Sequence, residues 1–155
     1  MEFQSRGVRA LVLLHEGQMR ALLATWKIAK ARGVALPATE DPDYESLDHL
    51  LRHLLRAARG YLTWTCEVLG RPDPQLPPPP EVDALEGEAD AYLELVLDAW
   101  RTHLAGVPNE VADGATAYLS RWNHPYTIDA MLEHAVVHPM RHRRQLEELI
   151  EEVGN

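Results

Sequence analysis

The chain has a single cysteine, Cys66, in 155 residues, so no internal disulfide framework is possible. It is poor in positive charge. Fifteen Lys and Arg stand against 24 Asp and Glu, for a formal net charge of -9. There is no global basic field for nucleic acid or an anionic membrane, and binding to either would need a local patch. The longest apolar run near the N-terminus, Ala10 to Leu14, is too short for a signal-peptide core. No apolar run reaches the length of a membrane span. The patterns GxSxG, GxxxxGK[ST], HExxH and CxxC are missing, as are paired carboxylates on a common inward helix face, which argues against a di-iron bundle. These absences leave a cytoplasmic protein of one domain, residues 1–155, with no nucleic-acid or membrane partner.

Helical periodicity is present in four segments, and no strand-like alternation competes with it. The first runs from about Arg6 to about Ala31, with Val8, Leu11, His15, Met19, Leu22 and Trp26 on one face and Gly33 at its end. The second runs from about Tyr44 to about Leu69, with Ser46 or Asp43 as its cap and Gly70 and Pro72 closing it. The third runs from about Glu86 to about Leu104, with Ala89, Leu93, Leu97, Trp100 and Leu104 on one face. The fourth starts at Thr127, a candidate N-cap, and runs to about Val153. Four amphipathic helices of about 20 to 26 residues predict an all-α four-helix bundle. Residues 71–82, with Pro77 to Pro80, form a stiff spacer long enough for a crossover connection. Residues 107–126 are a second long connection, with room for a short helix between Asn109 and Leu119.

The conspicuous excess is histidine: eight residues, five of them in two clusters. On the second helix His49 shares a face with Glu45, Arg52, Arg56 and Arg59, whereas His53 shares one with Leu50, Ala57, Gly60 and Trp64. His53 therefore faces the bundle interior, beside small residues that leave room. On the fourth helix His138 and His142 lie within about 40° of each other on the apolar stripe, and His134 lies on its flank. Two inward imidazoles one turn apart, with a third from a facing helix, would make a three-histidine tripod with open positions for water or substrate. This ligand set disfavours hard ions such as magnesium. A buried pH-sensitive histidine cluster is the competing reading. His15 falls on the apolar stripe of the first helix and could line the same cavity, though a lone histidine there also suits a core. His103 and His124 read as surface residues. Cys66 lies about 140° around the helix from His53, which makes it a buried structural thiol. Pro139, inside the fourth helix, predicts a kink or bulge beside His138.

Two stretches carry a family resemblance. "SLDHLLRHLLRAARGYLTW" is similar to the helix-two pattern of the DinB/YfiT-like family, a serine followed seven residues later by a ligand histidine, here Ser46 and His53. "HPMRHRRQLEEL" resembles the family's H-x-x-x-H with a following basic residue and glutamine, here His138, His142 and Gln145. The resemblance implies a DinB-like four-helix bundle with a crossover, and a divalent transition metal, commonly zinc or nickel, on His53, His138 and His142. It also implies frequent homodimers and thiol-dependent S-transferases or isomerases that use a low-molecular-weight thiol such as mycothiol or bacillithiol. Proline after His138 departs from the family pattern, and His49 and His134 stand as alternative ligands. The functional expectation is a metal-dependent enzyme of thiol S-transferase type acting on a small molecule. His15, His134 and Gln145 are candidate orienting or pocket groups, and no general base is identified. A non-catalytic metal- or pH-sensing bundle is the alternative.

Overall fold

A computed structural model describes residues 2–154. The elements, in order, are α1 (Arg6–Ala31), a single 3-10 turn (Pro42–Tyr44), α2 (Leu47–Val68), α3 (Leu85–Leu104), the one-turn α4 (Asn109–Ala112), β1 (Tyr118–Leu119), β2 (Pro125–Tyr126) and α5 (Ile128–Val153). The fold is all-α apart from that short hairpin. No helix among the described residues is long and apolar enough to cross a membrane.

The helix ends follow local chemistry. Ser5, Ser46 and Thr127 each accept a hydrogen bond from the backbone N–H three residues on, satisfying a donor with no partner inside the helix. Of the two cap candidates for α2, Ser46 is the cap. Just past α1 and α2, Gly33 and Gly70 adopt φ of 67° and 62°, a left-handed conformation that costs other residues a steric penalty.

Four long helices enclose one core. α1 packs against α3 and α5, most extensively against α5, and α2 also packs against α3 and α5. Cross-helix contacts give their directions. Lys27 pairs with Asp90, Arg20 with Glu94 and Arg101 with Glu16, so α1 and α3 run antiparallel. His53 meets His138 and Tyr61 meets His134, so α2 and α5 are antiparallel as well. The proline-rich link runs back along α2. Arg59 donates to the Leu76 carbonyl and Arg52 to that of Pro80, and α3 then starts near the beginning of α2. At the other end Arg71 donates to the Gly106 carbonyl. α2 and α3 are therefore parallel, and the 71–82 link is a crossover the length of the helices.

Two buried indoles lock this arrangement: Trp26 donates to the Leu47 carbonyl (2.9 Å) and Trp100 to that of Ala58 (3.0 Å). Each fills core volume and satisfies its own N–H. Cys66 is buried and unpaired, as its position on α2 predicts.

The short helix expected between Asn109 and Leu119 is the one-turn α4, Asn109–Ala112. Beyond it the chain turns at Gly114, where a Cβ would come within 2.9 Å of the Glu110 carbonyl oxygen. Strand pairing does exist, with Tyr118 opposite Tyr126, but two residues per strand are too few to show alternation. Of the kink or bulge expected at Pro139, no bulge occurs. α5 runs unbroken through the buried proline, because the loss of one N–H leaves the flanking helical bonds to hold both halves.

Candidate metal centre

His53 projects from α2, and His138 and His142 project from α5, one turn apart. One ligand atom from each lies within 4.8 Å of the others, near enough to share a single metal ion. Nε2 of His53 is 3.2 Å from Nε2 of His138. His142 is buried, and the other two are half-buried at the wall of a cleft.

The opposite ring nitrogen of every one of these histidines is engaged. His53 Nδ1 is 3.0 Å from Asp43 Oδ2, His142 Nδ1 is 2.9 Å from Gln145 Oε1, and His138 Nδ1 is 2.8 Å from the Tyr61 hydroxyl. A carboxylate and an amide oxygen only accept, so they place the proton on Nδ1 and leave the Nε2 lone pair free. Tyr61 can do either. By accepting it frees Nε2 of His138 in the same way; by donating it leaves a proton on Nε2 to bridge to His53. Such outer hydrogen bonds select the tautomer and aim the ring at a metal. Arg56 in turn grips Asp43 at 2.7 Å, holding the carboxylate in place.

The electrostatics favour neutral imidazoles. Burial, then the neighbouring His142, His53, His134 and Arg141, push His138 down to about 3. Burial and Arg141 lower His142 to about 4, against a smaller upward pull from Gln145. Burial also lowers His53, partly offset by Asp43. Burial raises the Tyr61 phenol to about 12. At neutral pH the donor set is three neutral imidazoles with inert phenol and amide neighbours. This suits zinc, nickel, copper or iron(II) and does not suit magnesium or calcium.

Two clefts flank the cluster. One, about 510 Å³, is lined by Ala57, Gly60, Tyr61, Trp122, His134 and Arg141 among others. The second, about 450 Å³, lies beside His142 and Gln145 and reaches the 36–39 segment and the end of α5. Arg141 borders both.

The other histidines separate clearly. His134 lines the first cleft, its ring 6.2 Å from that of His138 and stacked on Trp122 at 5.4 Å. His49 bonds the Ser46 hydroxyl at 2.8 Å and is not one of the converging three. His15 does not line this cavity. It is fully buried on α1, stacked 3.8 Å from Trp100 of α3, and neither ring nitrogen has a hydrogen-bond partner. The α1 stripe faces α3 there, which the periodicity of α1 by itself could not reveal.

Sequence reasoning missed Tyr61 and the role of Asp43. Tyr61 follows His53 by eight residues, about two turns along the same side of α2, so the helical wheel held that signal. Asp43 lies in the 3-10 turn before α2, where no periodicity applies. Comparison with family models, with curated proteins and with solved structures finds no match.

Proposed function

We propose that the chain is a DinB-like four-helix bundle metalloprotein that transfers the sulfur of a low-molecular-weight thiol onto a small electrophile. A zinc or nickel ion would be held by His53, His138 and His142. The observation that carries this reading is the convergence of three imidazoles whose outer nitrogens are each occupied. A structural histidine cluster has no need for Asp43, Tyr61 and Gln145 to turn all three rings toward one point. The crossover between parallel α2 and α3 supports the bundle type, and exposed apolar flanks such as Leu13 and Leu14 on α1 support a homodimer.

When bound, the ion supplies Lewis acidity, lowering the pKa of a thiol and stabilising the negative charge on its sulfur. The chain does the rest. Ala57 and Gly60 leave the space in which two small molecules meet beside the cluster. His134, held neutral by burial and by Arg141, would take the thiol proton on its imidazole. The sulfur then forms its bond to carbon with the freed electron pair, and the electrophile's leaving group departs with the pair of the broken bond.

The test pairs elemental analysis of untagged, chelator-free protein with a thiol-conjugation assay across a panel of electrophiles. Wild type should carry near one equivalent of transition metal, and His138→Ala should lose both metal and turnover. Turnover unchanged in His138→Ala would sink the reading.

A further inference from the structure

The 510 Å³ cleft has a composition unlike the rest of the molecule. It is lined by three of the chain's fifteen basic residues, Arg56, Arg121 and Arg141, and by none of its 24 acidic ones. In a chain of net charge -9 this is a local reversal of sign. The three guanidiniums are not equally committed. Arg56 is bound to Asp43 at 2.7 Å. Arg121 reaches Glu67 only at 3.8 Å, with both side chains more than half exposed, a contact worth little in water. Arg141 has no hydrogen bond or ion pair among the described residues, yet it sits on α5 between His138 and His142.

The same cleft is lined by the aromatic side chains of Tyr61, Trp64 and Trp122. Trp122, 49% exposed at the tip of the hairpin, stacks on His134 and meets Tyr61 edge-on at 6.4 Å. The hairpin is fixed by the Trp64 indole, which donates to the Leu119 carbonyl at 3.0 Å. The cleft is also lined by Gly60, where an added Cβ would meet only an Arg121 nitrogen, at 3.9 Å. A half-exposed tryptophan, the side-chain-free surface of Gly60 and two under-committed guanidiniums within one cleft form a receptor for a flat apolar body carrying an anion.

We propose that this cleft binds a small planar aromatic or conjugated carboxylate, its ring against Trp122 and Tyr61 and its carboxylate on Arg121 and Arg141. This names the class of the electrophile for the proposed transferase, an acid of this kind that also carries a leaving group on the carbon attacked by sulfur, and rests on that reading only for its catalytic meaning. The recognition itself is made by side chains that do not touch the metal. The site selects against cations and gives neutral analogues only the aromatic part of the interaction.

The test is a titration of the full-length protein with 2-naphthoate and with neutral 2-naphthalenemethanol, read by calorimetry, first with chelator and then after zinc loading. We expect saturable 2-naphthoate binding with chelator present, about tenfold tighter than the alcohol. Arg141→Gln and Arg121→Gln should erase that preference and leave alcohol binding unchanged, whereas Trp122→Ala should weaken both. Circular dichroism melting of each variant separates a binding defect from misfolding, and Arg141→Lys serves as a milder second variant. Equal affinity for the two probes, or a preference that survives both arginine substitutions, overturns the proposal. So does carboxylate binding seen only with zinc, which would place the anion on the metal. Metal uptake is scored in the same samples, so a protein that binds 2-naphthoate but no zinc or nickel would defeat the metal reading and leave this one standing.

Discussion

His15 provides the sharpest energetic test of the structure. Its imidazole is 1% exposed, flat against Trp100, with both ring nitrogens unpartnered. Burial pushes its pKa from 6.5 down to about 3. Above pH 6.5 the ring is neutral in both the folded and the unfolded chain and adds no pH dependence. As pH falls below 6.5 the unfolded chain takes up a proton that the folded chain refuses, so stability falls. The loss continues until the folded pKa is reached near 3. At about 1.4 kcal/mol per pH unit the full loss approaches about 5 kcal/mol, comparable to the entire stability of a marginal domain. Replacing His15 with Leu removes this proton linkage. It also removes a buried N–H without an acceptor, a gain of about 1–3 kcal/mol, against a smaller loss of ring stacking. The assay is urea unfolding of wild type and His15→Leu at a series of pH values from about 7.5 to about 4, with chelator present. Other titrating groups cancel in the difference between the two proteins. The variant should gain on the wild type by about 1.4 kcal/mol for each pH unit below 6.5. Parallel stability curves would refute the placement of His15 in a dry, partnerless site, whatever the offset between them at neutral pH.

Removing the outer partners should weaken metal binding without abolishing it. Asp43→Ala, Gln145→Ala and Tyr61→Phe are each expected to cost about 10- to 100-fold in zinc affinity by competition with a chromogenic chelator, and wild-type affinity in all three would show that these contacts do not aim the ligands. Because burial holds His138 near 3 and His142 near 4, with His53 lowered too, protons compete poorly for the donor nitrogens. Zinc affinity should therefore change little between pH 7.5 and about 5.5, whereas unperturbed histidines would release the ion progressively below about 6.5. A steep fall in affinity from pH 7 to 6 would contradict the buried, neutral donor set. Zinc at saturating concentration should also raise the unfolding midpoint of wild type and not of His138→Ala, since a ligand that binds only the folded state stabilises it by mass action.

The residues that define the helices also show where readability stops. Val8 to Trp26 on α1, Ala89 to Leu104 on α3, the glycines at 33 and 70 and the caps Ser46 and Thr127 act through neighbours within four residues, so the chain alone determines the four long helices and nearly all of their ends. The same local rule determined that His53 points inward and His49 does not, and that His138 and His142 share a face. Which helices those faces meet was decided only by packing. The α1 stripe that carries His15 turned to Trp100 of α3 rather than to the cluster on α2 and α5. Asp43 reaches His53 from a 3-10 turn ten residues away, and Trp122 reaches His134 from a two-residue-per-strand hairpin; neither segment has a period from which direction can be read. Helical periodicity reports the angle of a side chain about its own axis. The partner across the gap depends on long-range burial that no single segment encodes.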